Sequence, residues 1–277
     1  MFSRIGIVGL GLMGGSLGLA IRRQWPGSLV IGVDRKDVIE RATITHVIDV
    51  GAEDLGMISD AELIVLAAPV AENERILADV AALVSGDAIL TDLGSTKRGI
   101  VEAGRNLHGC ATFIGGHPMA GASVAGLEHA RPDLYADRPW ILCPSRPSAA
   151  LPKLKEFVAA LGARCVEMSA EEHDRLLACL SHLPQLTASA LMHVVGEAAG
   201  REGLAIAGRG LQDSTRLASS PPDLWRDVCV SNADNIGPAL DTLIEVLKKL
   251  RGDLERGDVL ETIFKSAQEW KAQLEGR

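Results

Sequence analysis

Two periodicities divide the chain. Over roughly the first 167 residues, short β-rich runs (RIGIV, LVIGV, LIVLAA, AILTD, ATFIG, WILCP and RCVEM) alternate with amphipathic stretches, LMGGSLGLAIRRQ, NERILADVAALV, TKRGIVEAGRNL and ALPKLKEFVAALG, whose apolar residues recur at helical spacing. That alternation predicts a mostly parallel sheet with crossover helices. From Ser169 onward the period is helical throughout. AEEHDRLLACLSHLPQLTASALMHVVGEAAG predicts one long helix with Pro184 as a kink point, and ADNIGPALDTLIEVLKKLRGDLERGD and VLETIFKSAQEWKAQLEG extend the helical pattern to the end. The expected fold class is α/β, with an α/β domain over residues 1–167 and an all-helical domain over 168–277. No Gly/Ser-rich linker separates them, so the long helix itself is expected to join them. Helices this apolar in so small a part predict a helical interface between two copies, hence a homodimer.

Composition narrows the function classes. A chain of 277 residues can bury a substantial core, and its net charge of −8 is spread without the basic patch that a phosphate backbone requires. Nucleic acid is not an expected partner. The glycines of MFSRIGIVGLGLMGGSLG break it into a strand and a turn, unlike a signal peptide, and no apolar run reaches the roughly 18 residues of a membrane span. Five cysteines (Cys110, Cys143, Cys165, Cys179 and Cys229) form an odd set without a CxxC pair, which predicts reduced, buried thiols and a cytoplasmic location. The seven histidines lack zinc-type spacing, so no metal is expected.

RIGIVGLGLMGGS sets Gly9-x-Gly11-x-x-Gly14 directly after a strand and before a helix, and Asp34 closes the next strand. The first glycine permits a tight turn, the second lets backbone approach a pyrophosphate, and the third allows helix and strand to pack closely. These features predict a Rossmann-type dinucleotide site built from Gly9, Gly11, Leu12, Met13, Gly14, Asp34, Arg35, Ala68 and Pro69. Asp34 suits ribose hydroxyls and repels a 2′-phosphate, which favours NAD over NADP, although Arg35 beside it could pair with a phosphate.

In a parallel sheet the ligand crevice lies at the carboxyl ends of the strands. Two further loops there are chemically unusual: DLGSTK brings Ser95 and Lys97, and GGHPMAG brings His117. A neutral imidazole of pKa about 6.5 can take a hydroxyl proton while hydride leaves the same carbon, which is alcohol oxidation, and such activity falls as pH drops through that value. His117 also fits a turn histidine satisfied by backbone, and Ser95 a plain helix N-cap with Lys97 solvated. In the helical part, SHLPQ groups Ser181, His182 and Gln185 in an apolar helix, and Arg216 lies in the polar stretch GLQDSTRLASSPPDLWRDV. An arginine fork suits a carboxylate, or an interdomain salt bridge. His173-Asp174, after two glutamates, reads as a helix-start or interface cluster.

Together GLGLMGGSLG, DLGSTK, GGHPMAG, EEHD followed by SHLP, and DSTRLA with WRD resemble the prephenate/arogenate dehydrogenases of tyrosine biosynthesis, over residues 4 to 270. The resemblance implies a Rossmann-type domain followed by a helical dimerisation domain, and NAD-dependent oxidative decarboxylation of prephenate to 4-hydroxyphenylpyruvate, or of arogenate to tyrosine. It implies that His117 binds and polarises the ring hydroxyl, that Ser95 assists, that Arg216 holds a substrate carboxylate, and that Ser181 and His182 form a substrate wall. Many relatives have a second histidine at Gln185, a lysine or arginine at Gln212 and a glutamate at Ser123, so arogenate or dual use stays open. The chain is expected to lack an ACT-like regulatory domain and a chorismate mutase segment, leaving any tyrosine feedback to the active site. A different hydroxyacyl or imino dehydrogenase, and a non-enzymatic dinucleotide sensor, are the competing readings; neither explains Ser95, His117 and Arg216 together.

Overall fold

Eight strands form a single sheet in the computed structural model, which describes residues 1–107, 111–121 and 124–276. They are β1 (Arg4–Val8), β2 (Leu29–Val33), β3 (Val50–Ala52), β4 (Leu63–Leu66), β5 (Ile89–Asp92), β6 (Thr112–Pro118), β7 (Pro139–Pro144) and β8 (Arg164–Glu167), in the spatial order 3-2-1-4-5-6-7-8. The first six run parallel to one another; β7 is antiparallel to β6, and β8 is parallel to β7. Parallel strands are covered on both faces, which is why their sequences are continuous apolar runs. In β4, Leu63 and Val65 join one core layer, while Ile64 and Leu66 join the other.

The covering helices are α1 (Leu12–Gln24), α2 (Lys36–Ile44), α3 (Val70–Leu83), α4 (Arg98–Arg105) and α5 (Ala150–Ala160). They are followed by α6 (Ala170–Leu177), α7 (Leu183–Leu204), α8 (Arg209–Ser214), α9 (Pro222–Ser231), α10 (Ala233–Asp253) and α11 (Asp258–Glu275). Residues 1–232 make one compact unit and residues 233–277 a second. Within the second, the Asp253 carboxylate accepts the Val259 and Leu260 amides at 2.7 and 3.1 Å and so caps the start of α11.

Several elements differ from the sequence expectation, each for a local reason. The single long helix is interrupted: α6 ends in a π turn over Ala178–His182 before α7 begins. Pro184 has no amide hydrogen and its ring crowds the carbonyl four residues earlier, so the turn widens instead of continuing as α-helix. Gly200, at φ +61°, breaks the helical backbone again within α7. GGHP is strand and not loop, because β6 runs on to Pro118 with His117 opposite Ile141 of β7. The glycines serve close approach there: a β-carbon on Gly116 would stand 2.5 Å from the Asp92 carbonyl oxygen. β3, only three residues long, and the largely exposed α2 left too little apolar signal to be read.

Candidate active site

The carboxyl ends of β1, β2, β4, β5 and β6 share one edge of the sheet, and strand order reverses between β1 and β4. At that switch point a crevice is lined by Gly9, Gly11, Asp34, Arg35, Ala68 and Pro69, all expected from the sequence. The three motif glycines are there for different reasons. A β-carbon on Gly14 would stand 1.9 Å from the Gly9 carbonyl oxygen, whereas one on Gly11 would meet nothing within 4 Å. Gly9 adopts φ +94° and lies against the Ala67–Ala68 backbone. The protein itself thus requires Gly9 and Gly14, while Gly11 leaves open space over the start of α1, whose first turn has no side-chain cap.

Leu12 and Met13 open α1, and the Met13 carbonyl accepts the Tyr135 hydroxyl at 2.6 Å. The Asp34 carboxylate accepts the Leu10 amide at 2.6 Å and the Arg35 amide at 2.7 Å, so it shapes the glycine turn as well as facing the crevice. Buried Asn73 holds the opposite wall, accepting from the Ala68 amide at 3.1 Å and donating to the Leu66 carbonyl at 3.3 Å. These features fit a dinucleotide: an open backbone cradle for phosphate and a carboxylate at the end of β2.

His117 lies along the same edge, three strand positions from β1, or about 14 Å at the usual strand spacing of about 4.8 Å. Its Nδ1 is 2.8 Å from Nε2 of His173, whose Nδ1 is 2.7 Å from Oδ1 of Asp174. His117 Nε2 has no partner among the described residues and is not enclosed; the residue is 8% exposed. Asp174 also accepts the Lys97 and Arg98 amides at 2.8 and 2.9 Å, capping α4, and the Arg98 Nε at 3.3 Å. Asn232 donates to the Asp174 carbonyl at 2.8 Å and meets Nδ1 of His182 at 3.2 Å. Burial, reinforced by His173, Lys97 and His182, holds the His117 imidazole well below the ordinary histidine range. Burial likewise depresses His173 against the pull of Asp174, and takes His182 down to about 4. Burial alone would raise Asp174, but hydrogen bonds from His173 and from the Arg98 and Lys97 amides outweigh it and leave the carboxylate ionised.

The cluster corrects two readings from the sequence. Lys97 is neither solvated nor facing the crevice: it is fully buried and ion-paired with Asp92, whose carboxylate also accepts the Gly94 and Gly116 amides. His173-Asp174 does begin a helix, with Ser169 as its N-cap, but its side chains point into the buried chain. The histidine spacing, with His117 and His173 far apart in sequence, carried no signal of that contact. Ser95 lies half-buried in the bend before α4, its hydroxyl without a partner among the described residues, and it is not the N-cap of that helix.

The remaining candidates lie on the helical elements of the first unit. Ser181 is half-buried on the π turn, and His182 is buried beside Trp225 with its Nε2 unpaired. The Gln185 carboxamide donates to the Leu217 carbonyl at 2.8 Å and to Ser189 at 3.3 Å, and accepts from Ser220 at 3.1 Å. Gln185 thereby fixes the segment that begins with Arg216. Arg216 and Gln212 are exposed, and Arg216 makes no ion pair among the described residues, so the salt-bridge reading has no support. Of the cysteines, Cys143 is buried but Cys179 is exposed; Cys143, Cys165, Cys179 and Cys229 are unpaired, and Cys110 and Ser123 lie outside the described residues.

Residues 17–167 match the nucleotide-binding domain of prephenate dehydrogenase, and residues 169–268 match its dimerization domain. The chain belongs to the prephenate dehydrogenase family. It is 34% identical to the prephenate dehydrogenase of Bacillus subtilis over 96% of this chain and 74% of that one. It is 32% identical to the cyclohexadienyl dehydrogenase of Zymomonas mobilis over 99% and 96% of the two chains. The prephenate dehydrogenase of Aquifex aeolicus, solved with hydroxyphenyl propionate and NAD+, superposes with a TM-score of 0.90 at 29% identity, covering 99% of each chain. The family assignment agrees with the α/β and helical architecture inferred from the sequence, and among the described residues no helix is long and apolar enough to cross a membrane.

Two outcomes test this geometry. Gly11→Ala is expected to leave the melting temperature unchanged while weakening dinucleotide binding, whereas Gly14→Ala destabilises the fold by on the order of 1–3 kcal/mol through overpacking. Calorimetry and a dinucleotide titration on both variants check the contrast. The three depressed histidines stay neutral in the folded protein but bind protons when unfolded, so stability is lost as pH falls below the ordinary histidine value of about 6.5. Each neutral histidine adds at most about 1.4 kcal/mol per pH unit to that loss. Denaturant midpoints should therefore drop steadily from pH 6.5 to 5, and a flat series would contradict the buried, neutral assignment.

Proposed function

We propose that the protein oxidatively decarboxylates prephenate to 4-hydroxyphenylpyruvate, and that residues 1–167 serve the nucleotide and 168–277 the substrate and the dimer. The observation that carries this reading is the buried His117–His173–Asp174 chain at the sheet edge that holds the glycine crevice. Gly9, Gly11, Leu12, Met13, Gly14, Asp34, Arg35, Ala68 and Pro69 would hold NAD+, which when bound would supply the acceptor for the hydride of the carbinol carbon. His117 Nε2 takes the hydroxyl proton. The ring carboxylate leaves as CO2, its bonding electrons aromatise the ring, and the phenolate oxygen recovers the proton, so the histidine returns to neutrality. Ser95 assists at the hydroxyl, Arg216 holds a carboxylate, and Ser181, His182, Gln185 and Gln212 form the wall around the side chain.

Gln185 favours a second reading. It is neutral, and its amide is already engaged by Leu217, Ser189 and Ser220, so it adds no positive charge for the keto acid side chain of prephenate. Arogenate, with an amino group there, is therefore a second substrate. The four cysteines among the described residues are unpaired, in keeping with a reducing cytoplasm. Exposed Leu254, Phe264, Trp270 and Leu274 supply an apolar surface for a homodimer.

With prephenate and NAD+, NADH and CO2 are expected to form in equal amounts; absence of both with prephenate and with arogenate would defeat the assignment. His117→Asn should lower turnover by roughly 10²-fold or more with NAD+ affinity little changed. Because His117 stays neutral well below pH 6.5, turnover should hold level from pH 8 to 6.5 and decline only in more acid solution. Sedimentation velocity should show a dimer at micromolar concentration, and a monomer would remove the interface.

A further inference from the structure

An ionised carboxylate can only accept hydrogen bonds, and around Asp174 that restriction propagates outward through two imidazoles. Its oxygens face four donor positions: His173 Nδ1, the Lys97 and Arg98 amides and the Arg98 Nε. With backbone amides and a guanidinium already pointing at it, the carboxylate has no use for a proton of its own, so His173 Nδ1 carries the hydrogen. His173 Nε2 then bears the lone pair. It stands 2.8 Å from His117 Nδ1, and two bare nitrogens would repel, so the hydrogen of that bond belongs to His117 Nδ1. His117 Nε2, the nitrogen left without a partner among the described residues, is the basic one.

We propose that His173, anchored by Asp174, is a positioning residue that locks His117 in the Nδ1–H tautomer and so keeps Nε2 available as the proton acceptor. This rests on the reaction proposed above for its consequence, though not for its geometry. In water a neutral imidazole samples both tautomers, and the one with hydrogen on Nε2 cannot accept a hydroxyl proton there. When His117 Nε2 takes the proton, its Nδ1–H stays bonded to His173, and the new positive charge faces Asp174 through one intervening ring. The carboxylate's position is in turn fixed by the amides at the start of α4, and Asn232 ties its backbone to His182. A histidine already buried and oriented by strand β6 thus acquires its chemical direction from a helix some fifty residues further along the chain.

The test reads the tautomer directly. In the protein without added ligand at pH 7.5, ¹⁵N shifts of the histidine rings are expected to show His117 and His173 both protonated at Nδ1 and bare at Nε2. A hydrogen on His117 Nε2 in the wild type would overturn the proposal, and that measurement needs no variant to fold. His173→Leu should release His117 into a mixed or Nε2–H state and lower kcat on prephenate by roughly 10²–10⁴-fold, with KM for NAD+ little changed. His173→Gln, whose carbonyl can still accept from His117, should retain the Nδ1–H signal and recover part of the rate. An unchanged His117 tautomer or an unchanged kcat in His173→Leu would refute the positioning role. A wild type with the expected tautomer but inactive on both substrates would instead support the locked geometry and overturn the substrate assignment alone.

Discussion

The Asp174 carboxylate is the constraint on which the candidate site depends. It is fully buried, and a buried charge is tolerated only when its partners are in place. Those partners come from three directions: the first amides of α4, the Arg98 side chain and the His173 ring. Satisfying one charge therefore brings the start of α4, at the edge of the sheet, against α6. The same region is tied a second time by Thr96 and Ser231, whose hydroxyls lie 2.9 Å apart. The helices that follow the sheet up to Asn232 accordingly form one compact unit with it.

A second buried charge pair works alongside. Lys97 and Asp92 lie close enough to the imidazoles for the lysine charge to act on them, and Asp92 holds the amides of Gly94 and Gly116 that shape the ends of β5 and β6. The Lys97 cation also opposes protonation of His117 and His173. Burial beside a fixed cation keeps both imidazoles neutral at neutral pH, the state that the proposed proton acceptor needs. The ion pair thus serves local geometry and proton affinity together, which explains a lysine with no exposure at all beside a crevice for an anionic cofactor.

The nucleotide end follows a different logic. There the decisive feature is open space: Gly14 and Gly9 are required by the protein's own backbone, whereas a β-carbon on Gly11 would meet nothing within 4 Å, so nothing in the protein's own packing demands a glycine there. Asp34 combines both functions, holding the Leu10 and Arg35 amides while lining the crevice.

Local patterns in the chain were sufficient for much of this. Strands buried on both faces announce themselves as apolar runs, and a glycine turn between strand and helix with an acid after the next strand specifies the nucleotide crevice, because both depend on neighbours a few residues apart. His117 stood out in the sequence as a candidate, although its glycine pair suggested a loop where the structure has a strand. Only the tertiary structure decided that His173 and Asp174 stand behind His117, that Lys97 is buried, that Gln185 braces the Arg216 segment and that Pro184 widens its helix into a π turn. The first and third are contacts between residues distant in the chain, and a hydrogen bond across such a separation leaves no period or spacing in the sequence; Lys97 pairs with Asp92 only five residues away, but its burial depends on β6 lying against it. The last is a choice among hydrogen-bond registers: a proline in a helical stretch predicts a kink, and the structure shows that the kink takes the form of a widened turn.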